Sequence, residues 1–195
     1  MKTCLTGGIA CGKSLLLRYL GELGVETIDA DDVVHELMPD PAERRRIAAE
    51  VFADPAKRRA LEARLHPLVR ARIDEWFAAG TMGSDPLTCR RSVKGSDPMV
   101  DPMVLRIAAI PLLFEVHWES DYDIIVCVVS SRANQIERMT ATRGYTREEA
   151  EARLAAQMDV SEKAAKSHYV IQNDGSPDDL KAEAAKFVKW LKERT

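Results

Sequence analysis

Between residues 7 and 14 the chain reads Gly-Gly-Ile-Ala-Cys-Gly-Lys-Ser, which fits the phosphate-loop pattern G-x-x-x-x-G-K-[ST]. Residues 2–6 ahead of it read as a short buried strand, and residues 14–20 behind it as the first turns of a helix. That context turns the pattern into a mechanism. Gly7 and Gly12 tolerate backbone angles that a Cβ resists, so successive N–H groups can converge on phosphate oxygens. The helix start adds its partial positive charge. Gly8, Ile9, Ala10, Cys11, Gly12, Lys13, Ser14 and Leu15 are the candidate nucleotide-binding residues. Within them Lys13 is placed to reach the β/γ-phosphates, and the Ser14 hydroxyl to complete a Mg²⁺ shell. The pattern predicts a nucleoside triphosphate ligand.

The rest of the chain predicts how that loop is mounted. Short apolar runs at 25–28, 105–110, 122–129 and 169–171 alternate with helical stretches, which predicts an α/β fold with a parallel sheet wrapped on both faces. Residues 42–53 and 56–79 have helical spacing, interrupted by Asp54-Pro55 and His66-Pro67, and Pro67 is expected to kink or restart its helix. Ser130-Ser131 is expected to cap a helix reaching Arg143, and Thr146-Arg147-Glu148-Glu149 reads as a capping box opening another to Met158. A shorter helix follows Ser161, and a closing amphipathic helix fills 177–193. Residues 80–104 differ: Gly-Ser-Asp-Pro occurs twice and Asp-Pro-Met-Val twice, turn chemistry that favours a solvated loop over an anion site built on Arg90, Arg91 and Lys94.

Composition narrows the partners. A net charge of −3 offers no broad basic surface for nucleic acid, and no apolar run is long enough to span a bilayer. The N-terminus enters a strand directly, so a cytoplasmic protein is expected. Cys4, Cys11, Cys89 and Cys127 form no CxxC pair and read as free thiols.

Two further features bear on chemistry. Asp29 and Asp31 fall where the second strand meets its helix, at the carboxyl edge of the sheet where ligands bind. A carboxylate there serves as proton acceptor or metal ligand, while helix capping by Asp31 or Asp32 is the competing reading. Arg132, Arg138, Arg143 and Arg147 surround a helix–break–helix suited to a lid over a transferring phosphoryl group, or simply to a solvated face.

Five segments, in order, carry a family resemblance: Leu5-Thr6-Gly7-Gly8-Ile9-Ala10-Cys11-Gly12-Lys13-Ser14, Ile28-Asp29-Ala30-Asp31, Leu65-His66-Pro67-Leu68, Ile110-Pro111-Leu112-Leu113-Phe114-Glu115 and Val170-Ile171-Gln172-Asn173-Asp174-Gly175. Together they resemble dephospho-coenzyme A kinase, a P-loop kinase family. The resemblance implies ATP-dependent phosphorylation of the ribose 3′-hydroxyl of dephospho-CoA, the last step of coenzyme A synthesis, with ATP as donor and Mg²⁺. It implies Asp31 as base, with Lys13, Arg138 and Arg143 also catalytic, the last two on the lid. Asp29, Asp31, His66 and Glu115 would serve the acceptor, and Asn173 would border the adenine pocket. The local alternatives are a helix-breaking His-Pro for His66 and a strand-end surface residue for Glu115.

The expected architecture is a single three-layer P-loop kinase domain. Its core is 1–31, 105–130 and 168–195, with a helical CoA-binding subdomain at about 32–79, an insertion at about 80–104 and a lid at about 131–160. Dephospho-CoA is the expected partner, with no nucleic acid and no membrane, and the chain a monomer or weak homo-oligomer. The chain departs from the family pattern in three places: Pro39-Asp40-Pro41 bridges a shortened acceptor-side segment, 80–104 is inserted, and Arg143 follows Arg138 by five positions rather than four. Other readings are a nucleoside monophosphate or other metabolite kinase, against which the Leu-His-Pro and Pro-Leu-Leu-Phe-Glu segments weigh, and a binding protein holding ATP or CoA without chemistry.

Overall fold

A computed structural model describes residues 1–79 and 104–195. The repetitive stretch expected to form a loop lies, apart from Val104, outside the described residues. Packing divides the chain into two units, Met1–Thr27 together with 104–195, and the segment that starts at Ile28. The boundary falls a few residues earlier than the sequence suggests, so Asp29 and Asp31 belong to the second unit.

The first unit is built on β1 (Thr3–Gly7), β3 (Arg106–Ala109), β4 (Ile124–Val129) and β5 (Tyr169–Gln172), with β2 (Glu26–Asp29) at the sheet edge in the order β2-β3-β1-β4-β5. β1 runs parallel to both β3 and β4, and β4 parallel to β5. Every residue of β1 and β4 is buried, as expected for central parallel strands covered on both faces. The chain moves out to β2, returns to β3 and crosses β1 to reach β4. The carboxyl end of β1 therefore sits where the winding reverses, the position at which open α/β sheets bind ligands.

Side-chain alternation sorts the two faces. Leu5, Ile107, Val126, Val128 and Ile171 pack against Leu16 and Leu20 of α1 (Lys13–Glu22) and Leu180, Phe187 and Leu191 of α8 (Pro177–Lys192). Each such fully buried side chain contributes about 1.5–3 kcal/mol. Tyr169, Phe187 and Trp190 add a ring cluster with centroids 4.8–6.1 Å apart. α5 (Arg132–Arg143), α6 (Arg147–Ala155) and α7 (Val160–Ala165) follow β4, and α7 packs on β4 and β1. Ser131 caps α5, and Thr146 with Glu149 closes the expected capping box of α6. α6 ends at Ala155 rather than Met158, because Asp159 caps a separate α7, whose start precedes the Ser161 expected to lead it.

The second unit holds α2 (Ala30–Leu37), α3 (Pro41–Ala53) and α4 (Pro55–Ala79), with α4 packed on both others. Asp40 and Asp54 accept from the N–H groups of Ala42 and Ala56 at 2.8 Å each. The Asp-Pro pairs are thus helix starts, each an N-cap followed by a proline whose missing N–H costs nothing there. Of the kink or restart expected at Pro67, the restart does not occur, since α4 runs through that residue. One lost hydrogen bond is outweighed by the buried stripe Val69, Ile73, Trp76 and Phe77 that follows at helical spacing.

Candidate active site

The phosphate loop leaves β1 at Gly7 (φ 149°) and enters α1 at Gly12 (φ 94°). A Cβ at Gly7 would run into the Val128 carbonyl, and one at Gly12 into the Asn173 amide. Ala10 adopts φ 57° without being glycine, a locally strained conformation that its surroundings must hold. They do so through the loop's own carbonyls. Gln135 Nε2 donates to Ile9 at 2.7 Å, Arg138 Nη1 to Ala10 at 3.2 Å and Asn173 Nδ2 to Cys11 at 2.8 Å. Lys13 Nζ donates to Gly7 and Gly8 at 3.2 and 3.3 Å. In a trans peptide the next N–H points opposite the carbonyl, so these contacts set the direction of the loop amides.

The start of α1 differs from the starts of its neighbours. α2, α3, α5, α6, α7 and α8 each have a side chain accepting a first-turn N–H, whereas Gly12 gives α1 none. The N–H groups of that turn have no side-chain acceptor, and beside the exposed Ser14 they suit an anion. A cavity of about 270 Å³ lies beside the loop, lined by Gly8, Ile9, Arg132, Gln135, Met158 and Asp159 among others.

Arg138, on α5 within the stretch expected to form a lid, is hydrogen-bonded to the loop. Besides Ala10 it donates to the Asn173 carbonyl at 2.8 Å and to Ser130 Oγ at 3.2 Å. Arg143 sits at the exposed last turn of α5. Asn173, expected beside adenine, has its amide on the loop. Next to it, Asp174 Oδ1 accepts from the Ser131 N–H at 2.7 Å, Ser130 Oγ at 2.8 Å and Asn134 Nδ2 at 2.9 Å, and Oδ2 accepts from Gln172. The Ser131 N–H, with the side-chain donors after it, holds this carboxyl well below the usual carboxylate range despite some desolvation. A depressed folded value means that the stabilisation is complete above the unfolded carboxylate range and is lost as pH falls through the folded value. Asp174→Asn is therefore expected to lower the thermal midpoint at pH 7, and the gap to narrow as the pH falls below about 4. Midpoints that stay equally far apart down to about pH 3 would contradict this.

Burial pushes the Cys11 and Cys4 thiols up, and the Cys127 thiol to about 12. All three are free and buried, as expected, and are inert at neutral pH.

Glu115 lies in the turns after β3 rather than at the end of a strand. Its Oε1 pairs with Lys163 Nζ at 2.7 Å and accepts from the Met158 N–H at 3.2 Å, while the buried Oε2 has no hydrogen-bond partner among the described residues. Lys163 is fully buried and also donates to the Pro111 carbonyl at 2.8 Å, which Thr6 Oγ1 reaches as well at 3.3 Å. Sequence reasoning missed this lysine and Gln135. In Ser-Glu-Lys-Ala the first looks like a solvated helical residue, and nothing in the spacing marks either.

In the second unit, Asp29 is the N-cap of α2, accepting from the Asp31 N–H at 2.9 Å. That settles the capping question against Asp31 and Asp32. Asp31 stands on the first turn with an exposed carboxylate. His66 is half-buried within α4, one position before Pro67.

Known proteins share this arrangement of segments. The family model for dephospho-CoA kinase matches residues 1–42 and 40–179. The chain belongs to the dephospho-CoA kinase family. A dephospho-CoA kinase from Wolinella succinogenes is 31% identical over 208 aligned residues, 96% of this chain and 93% of its own. A crystal structure of a Thermus thermophilus protein matches with a TM-score of 0.73 at 30% identity, covering 100% of this chain and 98% of its own. Dephospho-CoA kinase from Campylobacter jejuni shares the fold, with a TM-score of 0.59 at 22% identity over 97% of this chain and 96% of its own. The two matched stretches overlap at 40–42, beside Pro39-Asp40-Pro41. Among the described residues no helix is long and apolar enough to cross a membrane.

Proposed function

We propose that the chain transfers the γ-phosphoryl group of ATP to the ribose 3′-hydroxyl of dephospho-CoA, giving CoA and ADP. The observation that carries the donor half is the phosphate loop, whose carbonyls are held by Gln135, Arg138 and Asn173 while α1 starts without a side-chain cap. The acceptor rests on membership of the family. Transfer of this kind needs little covalent chemistry from the protein and depends on positioning and charge stabilisation. The loop amides and Lys13 bind the β/γ-phosphates. The Ser14 hydroxyl, exposed on the first turn of α1, suits one ligand of the Mg²⁺ that accompanies ATP, the others being phosphate oxygens and water. When bound, that ion neutralises charge on the transferring group.

Asp31 takes the proton as the 3′-oxygen attacks phosphorus and ADP leaves. Asp29 supports it by fixing the turn that carries it, and His66 orients the acceptor from α4. Arg138 contributes positive charge behind the loop, and Arg143 is free to swing toward the phosphates.

Coupled ADP release tests the reading, with dephospho-CoA offered beside AMP, CMP and shikimate. ADP formation specific to dephospho-CoA is expected; preference for another acceptor overturns it. Tight ligand binding without ADP from any acceptor would mark a non-catalytic binding protein instead. Lys13→Ala is expected to lower kcat/KM for ATP by at least about 100-fold in the same assay, since it removes the loop's charged donor. Unchanged kinetics would count against the loop.

A further inference from the structure

The buried amide of Gln135 does not belong to any motif of the sequence, yet it reaches the phosphate loop at two points. Its residue is 4% exposed. Nε2 donates to the Ile9 carbonyl at 2.7 Å and contacts Cys11 Sγ at 3.2 Å, using both of its N–H groups. The same nitrogen limits what the loop can carry, because a Cβ on Gly8 would lie 2.8 Å from it. The contacts therefore fall on two of the loop's residues and restrict a third, and they are made from α5, whose own start is pinned through Ser131 to Asp174.

The direction of the Ile9 carbonyl decides the direction of the next N–H, at Ala10, and Ala10 is the residue in the strained left-handed conformation. Arg138 and Asn173 hold the two carbonyls that follow. Without Gln135 the first of three consecutive peptides is free to rotate, and the strain at Ala10 favours that rotation. An apolar side chain at 135 fills the space but leaves the Ile9 carbonyl without its donor.

We infer that Gln135 is a positioning residue for ATP, acting on the triphosphate through the Ile9 carbonyl and the Cys11 thiol rather than by touching the ligand. The inference rests on the kinase reading above. Its test measures ATP affinity without an acceptor, so it stands apart from whether dephospho-CoA is phosphorylated.

The experiment compares wild type with Gln135→Met, of similar shape but without donors. Isothermal titration with Mg-ATP gives the affinity, steady-state kinetics give KM for each substrate, and thermal denaturation gives the midpoint. The expected result is ATP binding weakened about tenfold, the scale of one lost buried hydrogen bond, with KM for dephospho-CoA close to wild type and the thermal midpoint lowered by about a few degrees at most. Gln135→Glu, which keeps the shape but sets a carboxylate oxygen against the Ile9 carbonyl, is expected to weaken ATP further, and it reads the same effect if the Met variant folds poorly. ATP affinity within about twofold of wild type in the folded variants overturns the assignment. So does a loss shared equally by both substrates and the midpoint, which would make Gln135 a packing residue only.

Discussion

Replacing Asp31 with Asn is expected to lower turnover by about 10²- to 10⁴-fold, the range that general base catalysis supplies. Asn has the shape of Asp but cannot accept the hydroxyl proton. The structure makes the substitution clean. Asp29, not Asp31, caps α2 through the 2.9 Å bond to the Asp31 N–H, and this bond survives the change. The Asp31 carboxylate is exposed, so its only structural contribution is a charge near a helix N-terminus, worth about 0.3–1 kcal/mol. ATP affinity, read by titration, is expected to hold, because the loop amides and Lys13 supply the phosphate contacts. Turnover like that of wild type would remove Asp31 from the mechanism. Loss of ATP binding along with turnover would place its role in the donor site.

Lys163→Met is expected to be the most destabilising single change, at about 3–5 kcal/mol, because it leaves a largely buried carboxylate without its counter-ion. Glu115 Oε2 already lacks a hydrogen-bond partner among the described residues, so the carboxylate has little other compensation. A domain is stable by only about 5–15 kcal/mol, which makes this a large fraction of the total. The Pro111 carbonyl also loses its 2.8 Å donor, although Thr6 Oγ1 still reaches it. Urea unfolding gives the measurement. Lys163→Met combined with Glu115→Gln is expected to recover most of the loss, since removing both charges also removes the desolvation that the pair had to offset. A single variant as stable as wild type would show that the ion pair contributes nothing.

What the sequence disclosed follows from how local each signal is. The phosphate loop, the capping box at Thr146 and the buried run of β4 were legible because each is decided by neighbours within a few residues. The Asp-Pro pairs were legible as boundaries but not as caps, since a proline reads as a break whichever side of the junction is helical. The restart expected as one outcome at Pro67 does not occur, because the proline's cost is local while the burial of Val69, Ile73, Trp76 and Phe77 that outweighs it is tertiary. The same limit hid the loop's supports. Gln135 and Arg138 lie more than 120 positions from the carbonyls they hold, and the pairing of Lys163 with Glu115 spans the crossing from β3 to α7. That Arg138 bonds to the loop emerges only from the β1–β4 pairing, which brings α5 against it. Asp31 was placed correctly at its strand–helix junction, while its freedom from capping emerged only from the turn geometry.

As a dephospho-CoA kinase, this chain is expected to make CoA by phosphorylating one hydroxyl of one acceptor. The most direct test is to incubate the protein with Mg-ATP and dephospho-CoA and to analyse the product by mass spectrometry and ³¹P NMR. One added phosphoryl group is expected, seen as a new phosphomonoester on the ribose 3′-oxygen, with one ADP formed for each CoA. ADP formed without phosphorylated product, or a phosphoryl group on another position, would contradict it.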